Sequence, residues 1–320
     1  MPDSPIIWFD RRPVPELAEL APPEATIEWP ESDDPLDGID RAHGVIAGAS
    51  IIYDRDVFSL ATKLRVLVRA GIGFDNIVLS DATAAGVAAC NTPDGPTIST
   101  AEHALALIFS VTKGLKQSEN RLQRQEGNYG PNHNALELDG ARLTLIGLGR
   151  IGSRVAKVAT ATGIHVTAYD PFESDERFEA LGVTRSTDLG EAVSEAQIVS
   201  IHAPLSPQTR HLVDSNLIGG MRDGVFIVNT ARGGLIDDDA LLEALDSGKV
   251  GGAGLDVTEP EPLPSGHALL EHESVLVTPH VASATTAGRN RIFTMALDQV
   301  VAALAGIKPS HILNPEVWPG

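Results

Sequence analysis

Gly147, Gly149 and Gly152 spell G-x-G-x-x-G within LTLIGLGRIGSRVAKVATATG, just after an apolar strand and at the opening of a helical pattern. That spacing suits an anion held by backbone. Gly147 makes the tight turn, Gly149 lets a pyrophosphate approach, and Gly152 lets helix and strand pack closely. The phosphates would face free N–H groups and the positive end of the helix dipole. Arg150 and Ile151 fall inside the motif and count with it as expected cofactor contacts. Asp170 closes the next strand in VTAYDP. A carboxylate there accepts bonds from ribose hydroxyls and repels a 2′-phosphate, and no arginine follows it directly, so NAD is expected over NADP. A second chemical position lies in VNTARGGLID, where Arg232 stands between a hydrophobic strand and the Gly233–Gly234 turn. A cation at a strand mouth is costly without an anion to meet it. Arg232 is therefore either a salt-bridge partner or a grip for an anionic ligand.

The elements that position these residues come in two series. The first holds the strands IIWF (6–9), TIEW (26–29), GVIAG (44–48), RVLVRA (65–70) and GVAACN (86–91), with a short helix, LSDATAAG (79–86), closed by Gly86. One long helix is expected from about Ser99 to Gln125, followed by the irregular loop EGNYGPNHN (126–134). The second series has six strands: 143–146, 165–169, 198–202, 225–229, 252–257 and 275–278. Strands spaced by helix-length segments suit parallel doubly wound sheets. A last helix, about Thr285 to Ala305, is expected to cross back onto the first domain.

The 320 residues, 42% of them hydrophobic, suffice for two domains with their own cores. With 24 Lys+Arg against 43 Asp+Glu, the formal net charge of −19 disfavours nucleic acid and anionic membranes as partners. No signal peptide is evident at the N-terminus, and the apolar run ALALIFSV (104–111) is too short to cross a bilayer. Cys90 is the single cysteine, so no internal disulfide framework exists. A soluble cytoplasmic protein is the expectation. The cations are skewed to arginine, with only six lysines, as high-salt adaptation or a GC-rich genome would each produce.

NTARGGLID (229–237), GLDVTEPEPLP (254–264) and VLVTPHVAS (275–283) resemble the D-isomer-specific 2-hydroxyacid dehydrogenases. So do RAGIGFDNI (69–77), NTPDGPTISTAEHALAL (91–107) and HAPLSPQTRHLV (202–213), and the segments keep the family's order over nearly the whole chain. The resemblance implies an α/β protein of two doubly wound domains. A Rossmann nucleotide-binding domain, residues 105–292, would be inserted in a flavodoxin-like substrate domain, residues 1–104 and 293–320. A homodimer is the family's usual assembly. The implied catalytic set is Arg232, Glu261 and His280. An imidazole's ordinary pKa, about 6.5, suits proton exchange near neutrality. A carboxylate beside it stabilises imidazolium, and an arginine fork can hold a carboxylate and polarise a carbonyl. The implied reaction is NAD-dependent interconversion of a small 2-oxo acid and its D-2-hydroxy acid.

Further contacts follow from the resemblance. Ile72 and Gly73 would offer backbone donors to the substrate carboxylate. Asp256 would accept the nicotinamide carboxamide N–H, while Thr100, His202, Ala203, Pro204, Thr209, Thr230 and Ala231 would line the cofactor. His202 competes with His280 as proton carrier, and Glu259 competes with Glu261 as its partner. Phosphoglycerate-specific members carry an arginine after the third strand, where VIAGASIIY places Gly48, and no regulatory extension is expected after Gly320. Both favour a small unphosphorylated acid such as glyoxylate or hydroxypyruvate over 3-phosphoglycerate. Formate-oxidising relatives lack the acidic partner that Glu261 supplies. No metal is expected, and HALLEH (267–272) reads as a solvated helix. A rival of another class is a dinucleotide-sensing, corepressor-like binding protein.

Overall fold

The computed structural model describes residues 4–13, 21–131 and 133–318. The chain forms two compact units, residues 1–96 with 285–320, and residues 97–284. A division at 104/105 and 292/293 would cut two continuous helices, Thr97–Thr112 and Thr286–Leu304. The first starts directly after Pro96 and commits Ala101, Ala104, Leu105 and Ile108 to the core of the second unit.

In the first unit, β1 (Ile6–Phe9), β2 (Thr26–Glu28), β3 (Gly44–Ala47), β4 (Val66–Arg69) and β5 (Ala88–Asn91) form a parallel sheet. Its order β2-β1-β3-β4-β5 is flavodoxin-like, as expected. Strand alternation sorts the two cores. Trp8 and Leu67 face a cluster with Tyr53 and Phe58. Ile7, Phe9, Val66 and Val68 face the helix Thr286–Leu304 through Leu297 and Val300. The last helix does return to the first domain. Gly44 lets it pack closely on β3, since a Cβ there would stand 2.5 Å from the Val300 side chain.

In the second unit, β6 (Arg142–Ile146), β7 (His165–Tyr169), β8 (Thr184–Ser186), β9 (Ile198–Ile201), β10 (Val225–Asn229), β11 (Val250–Leu255) and β12 (Val275–Val277) form a second parallel sheet. The order is β12-β11-β10-β9-β6-β7-β8, the doubly wound arrangement whose reversal lies between β6 and β9. Two features differ from the sequence reading. β8 is a seventh strand, short and partly exposed at the sheet edge, and too polar in TRS to show an apolar run. The long helix is two helices, Thr97–Thr112 and Leu115–Gln123, broken at Gly114, whose φ of 57° is left-handed. Glycine adopts that conformation without steric cost, so the chain turns there.

Candidate active site

The glycine loop lies at the β6–β9 reversal and behaves as three separate devices. Gly147 has φ 100°, and a Cβ there would stand 2.8 Å from the His202 backbone. A Cβ at Gly152 would stand 2.2 Å from the Gly147 carbonyl oxygen. Gly149 faces open space, with no atom within 4 Å of where its Cβ would be. It is also the N-cap of the helix Arg150–Ala161 and makes no side-chain cap hydrogen bond. Asp170 follows β7 and reaches back to this loop. Its Oδ2 accepts the Leu148 N–H at 2.8 Å and its Oδ1 the Phe172 N–H at 2.9 Å. Thr230, at the end of β10, has a buried hydroxyl without a protein partner among the described residues. An open glycine at a helix start, a fixed carboxylate and an orphan hydroxyl on one sheet edge fit a dinucleotide.

Arg232 follows β10 and caps the single turn Gly233–Leu235 in extended conformation. Buried Asn229 shapes this corner, donating to the Arg232 carbonyl at 2.8 Å and accepting the Ala231 N–H at 2.9 Å. Gly233 lets the corner lie directly on the segment before Glu261, since a Cβ there would stand 2.2 Å from the Thr258 carbonyl carbon. Arg232 donates to the Ala231 carbonyl at 2.7 Å.

His280 Nδ1 and Glu261 Oε1 are 2.6 Å apart, and both side chains remain partly exposed. Glu259 instead pairs with Arg210 at 2.8 Å, which separates the two competing carboxylates. His202 lies at the glycine loop with Nε2 3.0 Å from Ser200 Oγ, and burial pushes its imidazole down to about 4. A histidine that stays neutral through the physiological range is a poor proton carrier there. His280 has φ 54°, a left-handed conformation that costs a non-glycine residue on the order of 1 kcal/mol. Bonds to Asp256 offset it: His280 N–H donates to the Asp256 carbonyl at 2.8 Å, and Val281 and Ala282 donate to its carboxylate at 2.9 Å each.

Several expected contacts also make bonds within this unit. The Asp256 carboxylate is fully covered and also accepts the Thr278 hydroxyl at 2.6 Å, so its bonds hold the His280 loop. Burial pushes its carboxyl up, but the hydrogen bonds from His103, Thr278 and the two loop amides outweigh that and hold it below the usual range. The Thr209 hydroxyl donates to the Pro204 carbonyl at 2.7 Å and accepts the Ser206 N–H at 2.8 Å, closing a turn after Ala203. Thr100 is buried in the helix Thr97–Thr112. Ile72 and Gly73 belong to the first unit, in the partly exposed turn after β4, where Asn91 donates to the Ile72 carbonyl at 2.7 Å. Asn229, Thr278 and His103 were not singled out in the sequence. Thr278, two residues before His280, and Asn229, at the start of NTARGG, were signalled only by their neighbours. Among the described residues no group of His, Cys, Asp or Glu could hold a metal ion.

Residues 105–282 match the family described as D-isomer specific 2-hydroxyacid dehydrogenase, NAD binding domain. The chain belongs to that family. The family's description makes NAD the cofactor. Among curated relatives, D-3-phosphoglycerate dehydrogenase of Methanocaldococcus jannaschii is 37% identical over 279 residues, covering 87% of this chain and 53% of that one. The Bacillus subtilis enzyme of the same name is 39% identical over 259 residues, covering 81% and 49%. The chain spans about half the length of these relatives. A solved glyoxylate reductase from Paecilomyes thermophila superposes with a TM-score of 0.85 at 26% identity, covering 99% of this chain and all of that one. This dehydrogenase family thus accounts for the fold of both units.

Proposed function

We propose that the protein is an NAD-dependent D-2-hydroxyacid dehydrogenase in which Arg232, Glu261 and His280 do the chemistry. The observation that carries this reading is the 2.6 Å His280–Glu261 pair, in the same unit as a glycine loop fit for NAD. With Nδ1 engaged by Glu261, Nε2 is the nitrogen that gives a proton to the substrate oxygen in reduction and takes it back in oxidation. Glu261 is the counter-charge of the imidazolium and fixes the ring. Arg232 meets the substrate carboxylate and polarises the carbonyl at C2. Bound NADH supplies the hydride.

Two substrates compete. The names of the curated relatives favour 3-phosphoglycerate over the small unphosphorylated acid expected from the sequence. The second reading rests on Gly48, where an arginine would read the phosphate. The Gly48 N–H donates to Asp10 Oδ2 at 2.5 Å, and a Cβ there would stand 2.6 Å from that oxygen. An acid at that point opposes a phosphate. NADH oxidation with 3-phosphohydroxypyruvate, hydroxypyruvate and glyoxylate decides between them. Failure of all three and of longer 2-oxo acids, with NAD still bound, would overturn the enzyme reading in favour of a corepressor-like one.

No helix among the described residues is long and apolar enough to cross a membrane. We place the protein in the cytoplasm as a homodimer. Exposed Leu115 and Leu122 on the helix Leu115–Gln123 support an apolar interface, and light scattering of the purified protein tests it.

A further inference from the structure

We propose that His103 is a positioning residue that holds the His280 loop in its proton-transfer geometry through Thr278 and Asp256. The inference rests on the reading of His280 as the proton carrier. His103 stands on the helix Thr97–Thr112, whose buried face fixes it to the core of the second unit. Its Nε2 is 2.9 Å from Thr278 Oγ1 and 3.4 Å from Asp256 Oδ1. Thr278 Oγ1 in turn is 2.6 Å from Asp256 Oδ1.

The donor directions follow from what each group can do. A carboxylate only accepts, so the Thr278 hydroxyl proton points to Asp256. Thr278 must then accept from His103, which puts a proton on His103 Nε2. The chain of bonds runs one way, from helix to threonine to aspartate. Asp256 is the end of the chain and the clamp of the loop. It accepts the Val281 and Ala282 N–H groups through its carboxylate and the His280 N–H through its carbonyl. His280 sits between these bonds with its left-handed φ of 54°, a conformation that persists only where surrounding contacts over-determine it. Without the His103 donor, Thr278 is free to rotate away, Asp256 is held by its two loop amides alone, and the loop around His280 loosens.

The test uses the whole protein with NADH and whichever 2-oxo acid the parent reduces. His103→Leu is expected to lower kcat about ten- to a hundredfold, as a displaced reacting group does, with NADH affinity by fluorescence within about twofold of parent. Amide exchange at Val281 and Ala282 should accelerate while the β6 and β9 amides keep their protection. His103→Gln, which keeps a donor near the Nε2 position, should restore most of kcat. Thr278→Val should match His103→Leu, and the double variant should be no worse than either, because the two residues act in one chain. Parental kcat and parental Val281 and Ala282 exchange in His103→Leu would overturn the proposal. So would a Gln variant as impaired as Leu. If His103→Leu does not fold, His103→Gln against His103→Asn carries the same test, since the Asn amide falls short of Thr278. His280→Ala separates the two readings. Turnover in that variant removes His280 as proton carrier, whereas the exchange data judge the clamp without any turnover.

Discussion

With Nδ1 of His280 spent on Glu261, the pair has one productive direction, and removing the carboxylate charge should expose it. Glu261→Gln keeps size and an acceptor but not the anion that pairs with imidazolium. Reduction should slow by about ten- to a hundredfold in kcat with NADH affinity unchanged. Glu259→Gln serves as the contrast. It breaks an exposed pair with Arg210, worth about 0–1 kcal/mol, and should leave kcat at the parental value. Steady-state kinetics on both variants checks this, and equal losses in the two would remove Glu261 from its role. Arg232→Lys keeps the charge and loses the planar fork. The KM of the 2-oxo acid should rise and kcat should fall, together about a hundredfold in kcat/KM. At this scale the His280–Glu261 pair of the proposed site was legible in the sequence, because Arg232, Glu261 and His280 sit in segments whose order and residue types carry the family resemblance. It did not show which job a polar side chain takes when two are open to it. Asp256 and Thr209 spend their oxygens on neighbouring backbone, and those bonds depend on local turns that no spacing rule fixes.

The glycine loop joins the residue to the element, and its three glycines should fail in different ways. Gly152→Ala places a Cβ 2.2 Å from the Gly147 carbonyl oxygen, so strand and helix must move apart. Such overpacking costs about 1–3 kcal/mol, and NAD binding should fall with stability. Gly149→Ala meets open space at an ordinary φ of −65°. It should stay within about 1 kcal/mol of parental stability and lose NAD affinity, because its methyl would stand where the motif is expected to admit the pyrophosphate. Urea denaturation beside NADH titration measures both. Tight NADH binding by Gly149→Ala would contradict the placement of the pyrophosphate. Element boundaries were less legible than this motif. The long helix pattern hid its break at Gly114, because a lone glycine inside helical periodicity is common and only the left-handed φ marks the turn. The β8 strand escaped because an edge strand with a solvent-facing arginine carries no apolar alternation.

For the molecule as a whole, the alternation of strands and helices revealed two doubly wound units, since that pattern survives errors of a few residues at each boundary. The fold also contains an acid-sensitive element that no sequence pattern marks. His202 follows β9 and its N–H donates to the Ile146 carbonyl at 2.7 Å, which ties it to the strand that launches the glycine loop. Burial pushes its imidazole down to about 4. An unfolded chain binds that proton at about 6.5. Above about 6.5 both states are neutral and folding carries no penalty from this group. Between about 6.5 and 4 the unfolded state takes the proton and the folded state does not, so stability falls as pH falls through that window. At about 1.4 kcal/mol per pH unit the loss reaches at most about 3 kcal/mol near pH 4. His202→Gln keeps a polar group near Ser200 and removes the titration. Urea unfolding at pH 7, 5.5 and 4.5 should therefore show the parent losing stability relative to the variant as pH drops, so a parent more stable at neutrality converges on the variant and a less stable one falls further below it. The remaining acid loss, common to both proteins, would belong to carboxylates such as Asp256, whose proton affinity is lowered in the fold and whose contribution disappears at lower pH. Parallel stability curves across that window would mean that His202 takes its proton as readily folded as unfolded, and that the β9 end is open to water.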